Sequence, residues 1–258
     1  MFKIAAHLCG WPKEVVDDKK RVMQIVRDAG YDGVEGFGAE NAAELVDLAG
    51  LAAEHGLHLV NFSGPDPVLK AKFNATLGNA AAEVSAAWKG GHELTDAELA
   101  ERAAKIAPEI AAFNRFGVKP FHHIHVACIL ETPADCARVL AVLPDLWLLF
   151  DTGHLLAANS DPMEVLARWP KQIAHVHLKN FWTPNPKVAW DRHQPDFWKT
   201  SRFCDLADGN TGLDVGAVLA GLTKIGYDGW IAVEEDHPQR DVALVWRDNR
   251  QLLRRLGY

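Results

Sequence analysis

Short apolar runs alternate with longer helical patterns along 258 residues, and acids and histidines gather where several of the apolar runs end. Together these observations predict an α/β fold, a parallel eight-stranded (β/α)8 barrel in a single domain. The alternation is the rhythm of βαβ units, which build parallel sheets. A barrel of this kind takes about 250 residues, and its active site lies at the C-terminal ends of its strands. No linker, low-complexity tract or repeat divides the chain, so one domain spanning residues 1–258 is expected.

The first unit reads as a strand at Phe2–His7 followed by a helix around Asp17–Ala29. A second strand at Gly33–Phe37 leads to a helix around Ala42–His55, with Gly56 as its C-terminal cap. A third strand is expected at Leu57–Phe62. The next stretch is weaker in pattern: a short helix within Pro65–Gly78 and a short strand at Glu83–Ala87, ending at Trp88. Thr95-Asp96-Ala97-Glu98 is a capping box, and it opens a long amphipathic helix to about Phe116. Strand five is Val118–His125. The helix after it starts at Thr132, with Pro133 in its first turn, and runs to about Leu143. Strand six is Leu146–Asp151, strand seven Ile173–Leu178 and strand eight Trp230–Glu234. A long loop at Asn180–Gly212, a helix at Leu213–Gly226 and a closing helix at Val242–Leu256 complete the chain.

Composition narrows the class of function. The chain is 48% hydrophobic and 24% charged, as ordinary globular proteins are. A formal charge of −7, from 27 basic and 34 acidic residues, argues against a nucleic-acid or membrane-surface binder. The four cysteines form no CxxC pair, which fits reduced thiols in a cytoplasmic protein. The first residues run straight into a strand without a signal-peptide pattern, and the apolar runs fall short of the ~20 residues a bilayer requires. A small molecule is the expected partner, with a homo-oligomer left open.

Three segments carry the chemistry. Leu148-Leu149-Phe150-Asp151-Thr152-Gly153-His154, Ile173-Ala174-His175-Val176-His177-Leu178-Lys179-Asn180 and Trp230-Ile231-Ala232-Val233-Glu234-Glu235-Asp236 each end an apolar strand in ionisable groups. Side chains two apart share a strand face. His175, His177 and Lys179 therefore share one face, as do Phe121, His123 and His125 on strand five. Ala232, Glu234 and Asp236 share another, with Glu235 turned away. Ionisable groups inside a barrel are costly unless paired or bound to metal. Asp, His and Glu delivered at the same end of neighbouring strands suit a divalent cation.

FDTGH, HVHLKN and GYDGWIAVEE resemble the signature strands of the xylose-isomerase-like TIM barrels, and Asp32-Gly33-Val34-Glu35-Gly36 on strand two fits as well. The resemblance covers essentially the whole chain and is clearest from Phe121 to Glu235. It implies one divalent ion, Mn²⁺ ahead of Zn²⁺, Co²⁺ or Mg²⁺, with Asp151, His177 and Glu234 on three ligand positions. Many sugar epimerases of this superfamily carry a glutamate at the end of strand five. Here that segment is Phe121-His122-His123-Ile124-His125, similar to the HxH strand of inosose-dehydratase-like members. His123 aligns best to the missing glutamate, with His125 next. His154 matches a position that contacts substrate hydroxyls.

The expected chemistry is proton transfer on a small keto sugar or cyclitol. Glu234 is the candidate base, His123 or His125 the second group, and Lys179 the cation for a developing oxyanion. His154, His125, Glu35, His7, Trp182 and Arg192 are candidate substrate contacts, and His175 is expected one layer deeper, orienting a ligand. The aromatic residues of Asn180–Gly212, with Trp11 and Trp88, could wall a sugar site. Isomerisation, epimerisation and dehydration are all open to one such site. An endonuclease IV-like phosphodiesterase would need more metal ligands and a basic face. A non-catalytic sugar binder is the remaining alternative.

Overall fold

The computed structural model describes residues 2–84 and 93–258. Eight parallel strands form one curled sheet in the order β3-β2-β1-β10-β7-β6-β5-β4. They are β1 (Lys3–His7), β2 (Gly33–Glu35), β3 (His58–Val60), β4 (Ala81–Glu83), β5 (Lys119–His123), β6 (Trp147–Asp151), β7 (Ile173–Leu178) and β10 (Trp230–Val233). β8 (Asn180–Trp182) and β9 (Arg202–Cys204) make a separate antiparallel hairpin. The two ends of the sheet order are tied by asparagine side chains. Asn61 Oδ1 accepts from the Glu83 amide at 2.9 Å, and Asn79 Nδ2 donates to the Leu59 carbonyl at 3.0 Å. Asn61 has a φ of 45°, a left-handed conformation that asparagine tolerates better than most residues.

Helices cover the outside of the sheet, beginning with α1 (Lys13–Val16), α2 (Lys19–Ala29), α3 (Ala42–Glu54) and α4 (Pro67–Leu77). The N-caps foreseen at Thr95 and Thr132 are both present as complete capping boxes, on α5 (Asp96–Arg115) and α6 (Pro133–Val142). Ile4, Val34, Leu148, Phe150, Val176, Leu178, Ile231 and Val233 form one buried layer with helix residues such as Val22, Ile106, Leu219 and Trp246. The alternate strand positions face inward. That leaves small residues such as Ala5 and Ala232 low in the barrel and the ionisable groups at its upper end.

Several boundaries differ from the sequence expectation. β4 lies at Ala81–Glu83, before the expected Glu83–Ala87. Most of that expected strand, and Trp88, lie outside the described residues. β5 ends at His123, so His125 belongs to the loop beyond it. Two short helices were not foreseen between β6 and β7, namely α7 (Thr152–Ala157) and α8 (Pro162–Arg168). Six or seven residues are too few to establish a 3.6 period, and Gly153 within α7 weakens the helical signal further. Within Asn180–Gly212 the hairpin and the one-turn α9 (Phe197–Thr200) supply structure where a loop was expected. No helix among the described residues is long and apolar enough to cross a membrane.

Candidate active site

Strand register brings the ionisable groups to one level. Asp151 on β6 pairs with His177 on β7, and His177 with Ala232 on β10, one pleat below Glu234. Asp151 is also the N-cap of α7: its Oδ1 accepts the His154 amide at 2.8 Å, which leaves Oδ2 facing the barrel. Thr152 fixes the height of the next strand. Its hydroxyl donates to the Lys179 carbonyl at 2.6 Å and accepts the Lys179 amide at 3.0 Å. Gly153 clears space above it, because a Cβ there would stand 2.7 Å from Lys179 Cγ. The Asp-Thr-Gly-His turn thus supplies an inward carboxylate, a cross-strand clamp and a gap for the lysine stem.

Asp151, His177 and Glu234 are all buried, and one donor atom of each lies within 4.8 Å of the others. His177 Nδ1 is 2.6 Å from Glu234 Oε2 and 3.6 Å from Asp151 Oδ2. Despite that closeness, neither His177 Nδ1 nor Glu234 Oε2 has a hydrogen-bond partner. Buried polar atoms are normally satisfied. An imidazole nitrogen and two carboxylate oxygens converging without bonds fit a divalent cation between them. His123 joins from the Asp151 side, its Nε2 3.0 Å from Asp151 Oδ2, in a second group of potential ligands with His154.

Lys179 crosses the same space. Fully buried, its ammonium is 2.9 Å from Glu234 Oε1, 3.0 Å from Asp236 Oδ1 and 3.8 Å from Asp151 Oδ2. It also stands 4.3 Å above the Phe203 ring. Burial alone would lower the Lys179 pKa, but Asp236, Glu234 and Asp151 raise it well above 10.5, so it is a permanent cation here. Burial pushes Glu234 and Asp151 up, yet Lys179 leads the neighbours that hold both well below the usual carboxylate range. Burial and the nearby Glu234 charge raise Asp236 to about 6, against the pull of Lys179. Burial, then Lys179, keeps His154 neutral well below pH 6.5. Burial likewise lowers His123 and takes His125 down to about 4.

Beneath His177 lies Glu35. Its Oε1 is 3.2 Å from His177 Nε2, its Oε2 is 2.7 Å from His175 Nε2, and Asn61 Nδ2 donates to Oε1 at 2.7 Å. Burial raises the Glu35 carboxyl, but His175 and His177 outweigh it and hold it well below 4.5. His7 borders both layers, 3.9 Å from Glu35 and from Glu234.

A family model described as a xylose isomerase-like TIM barrel matches residues 23–256. The chain belongs to the xylose isomerase-like family. Among curated relatives, the rhizopine catabolism protein MocC of Rhizobium meliloti is 32% identical over 151 residues, 58% of this chain and 43% of that one. Inosose dehydratase of Geobacillus kaustophilus is 34% identical over 139 residues, 52% of this chain and 42% of that one. The matched region therefore spans less than half the length of each relative. The crystal structure of 3-keto-D-glucoside 4-epimerase, YcjR, from E. coli superposes with a TM-score of 0.72 at 17% identity, covering 99% of this chain and all of that one. That likeness shows the shared fold.

The remaining expected site residues divide by location. His154 and His125 are together, rings 3.7 Å apart, with Phe203 4.5 Å from the His154 ring. Glu35 sits behind His177, with both oxygens already bonded to protein groups. Trp182 lies on the hairpin with the Arg202 guanidinium 4.6 Å above its ring. Arg192 pairs with the buried Glu131 at 2.5 Å, which holds the long loop against the segment after β5. Trp11 packs edge-on against Trp246 in the core. Phe181, Trp190, Phe197 and Trp198 stack mainly on one another, and Phe203 is the aromatic of this group that touches His154 and Lys179. Sequence reading gave no role to Asp236 or Thr152. Asp236 was within reach of the alternation rule, since it shares a face with Glu234. Thr152 carries no signal in one dimension.

Proposed function

We propose that the protein is a divalent-metal-dependent isomerase or epimerase. It would remove the proton next to the carbonyl of a small keto sugar or cyclitol derivative. The observation that supports this most is the buried Asp151–His177–Glu234 set, with one donor atom of each within 4.8 Å of the others. These residues would hold the cation, with His123 as the fourth ligand through its position beside Asp151. Two carboxylates with imidazoles suit Mn²⁺ first, then Zn²⁺, Co²⁺ or Mg²⁺. Bound there, the ion would polarise a substrate carbonyl as a Lewis acid.

The chain's own groups supply the rest. Glu234 takes the proton, since it is the carboxylate that faces the cavity beside both His177 and Lys179. Negative charge developing on the carbonyl oxygen is held by the Lys179 ammonium, which is already desolvated and needs no rearrangement. Glu234 can return the proton it has taken to the neighbouring carbon, and His154, neutral near pH 7, can accept a proton from a substrate hydroxyl.

Loss of water is the second reading. It is favoured by the inosose dehydratase match and by imidazole in place of a second carboxylate on β5. With no second carboxylate there to take another carbon-bound proton, the proton that Glu234 has removed can instead be delivered to a leaving hydroxyl.

Metal analysis of the purified protein, followed by solvent-deuterium exchange into ketoses, inososes and hydroxypyruvate, tests both readings. Exchange is expected, and Glu234→Gln at saturating metal should lose on the order of 100-fold or more of it. Exchange that survives in Glu234→Gln removes the assigned base. A protein that takes up no divalent metal on reconstitution removes the whole reading. The products distinguish isomer, epimer and dehydrated ketone.

A further inference from the structure

Glu35 faces Nε2 of His177, while Asp151 and Glu234 face its Nδ1. It is 1% exposed and faces three donors: His177 Nε2 at 3.2 Å, His175 Nε2 at 2.7 Å and Asn61 Nδ2 at 2.7 Å. We propose that Glu35 is a positioning residue that makes His177 a metal ligand through Nδ1, by keeping the ring's other proton on Nε2. The inference rests on the metal-dependent reading above.

The geometry sets the polarity of the whole network. Asn61 Oδ1 is occupied by the Glu83 amide, so the Asn61 side chain can point only its NH₂ at Glu35. An amide donor on Oε1 favours a charged carboxylate, and a charged carboxylate accepts without donating. Both imidazole Nε2 atoms facing it must therefore carry hydrogen. A ligating imidazole is neutral and keeps one N–H, so with a cation bound the bare nitrogen of His177 would be Nδ1, the atom turned toward Asp151 and Glu234. His175 completes the support: it stacks on Phe121 at 5.1 Å with the rings 4° apart, which fixes the direction of its Nε2. Outer groups that orient a ligating histidine typically contribute 10- to 100-fold in metal affinity.

Glu35→Leu separates this role from simple packing, with Glu35→Gln as its control: the glutamine oxygen is drawn to the Asn61 and His177 donors, so its NH₂ faces His175 and His177 keeps its acceptor. Metal affinity is measured by competition with a chelating dye, beside the unfolding temperature. The Cd²⁺-loaded protein is examined by ¹⁵N–¹¹³Cd correlation. The parent should show cadmium on Nδ1 of His177. Glu35→Leu should bind 10- to 100-fold more weakly and lose or divide that Nδ1 signal, while Glu35→Gln should keep it. His175→Phe, which leaves Glu35 in place and removes one of its donors, should weaken binding by less. It serves as the readout if Glu35→Leu fails to fold. Cadmium on Nε2, or affinity unchanged in folded Glu35→Leu, overturns the assignment while leaving the metal site standing. A parent that binds no divalent ion overturns both.

Discussion

At the scale of single residues, burial decides which histidines can do chemistry. His122 and His123 are neighbours in sequence with opposite fates: His123 turns inward to Asp151, while His122 faces the packing with its Nε2 unpartnered. Burial drives the His122 pKa down to about 3. The unfolded chain therefore takes up a proton below about pH 6.5 that the folded one refuses. Stability must fall with pH between the two values, at about 1.4 kcal/mol per pH unit for this group, and level off below them. His122→Phe should unfold with a flatter acid dependence than the parent in urea titrations between about pH 6.5 and pH 4. Parallel slopes would show that His122 is protonated in the native state. The alternating pattern found the inward histidine correctly, because a period of two is a local property. What His123 touches was not legible, since Asp151 lies 28 residues away.

At the scale of elements, the turn after β6 shows how much a short helix can hold. Asp151 caps α7, Thr152 clamps β7, and Gly153 admits the Lys179 stem. Gly153→Ala gains roughly 0.5–1 kcal/mol of helix propensity, but the added methyl would stand 2.7 Å from Cγ and 2.9 Å from Cβ and Cδ of the fully buried Lys179, so a net loss of stability is expected. Displacing Lys179 should also lower turnover on the order of 10- to 100-fold. Unchanged kcat would mean that Lys179 has no part in the rate. Sequence reading marked Asp151 and His154 but treated the segment as a bare turn, because six residues leave no measurable helical period. It also left the Asn180–Gly212 stretch unstructured. The hairpin there depends on pairing Asn180–Trp182 with Arg202–Cys204, and the loop on Arg192 meeting Glu131.

For the whole molecule, the convergence of like charges at the barrel mouth has a measurable consequence. Asp151, Glu234 and Asp236 surround one lysine, and a dication bound among them would relieve their repulsion in the folded state alone. At about 100 times its dissociation constant, such a ligand adds roughly 2.7 kcal/mol, or about 5–10 °C in a chain of this size. Chelation should lower the unfolding temperature by that amount and re-addition of Mn²⁺ or Zn²⁺ should restore it; equal melting with and without the ion would speak against the centre. The succession of parallel strands with long helices between them, the alternation of inward and outward residues, and the acid–histidine–acid set were legible in sequence alone, since each follows from local period and residue chemistry. Tertiary structure alone decided that Glu35 lies behind His177, that Lys179 spans three carboxylates, and that one phenylalanine of a long aromatic loop meets the site. Those outcomes depend on curvature of the sheet and on the register between strands distant in the chain, which no local pattern encodes.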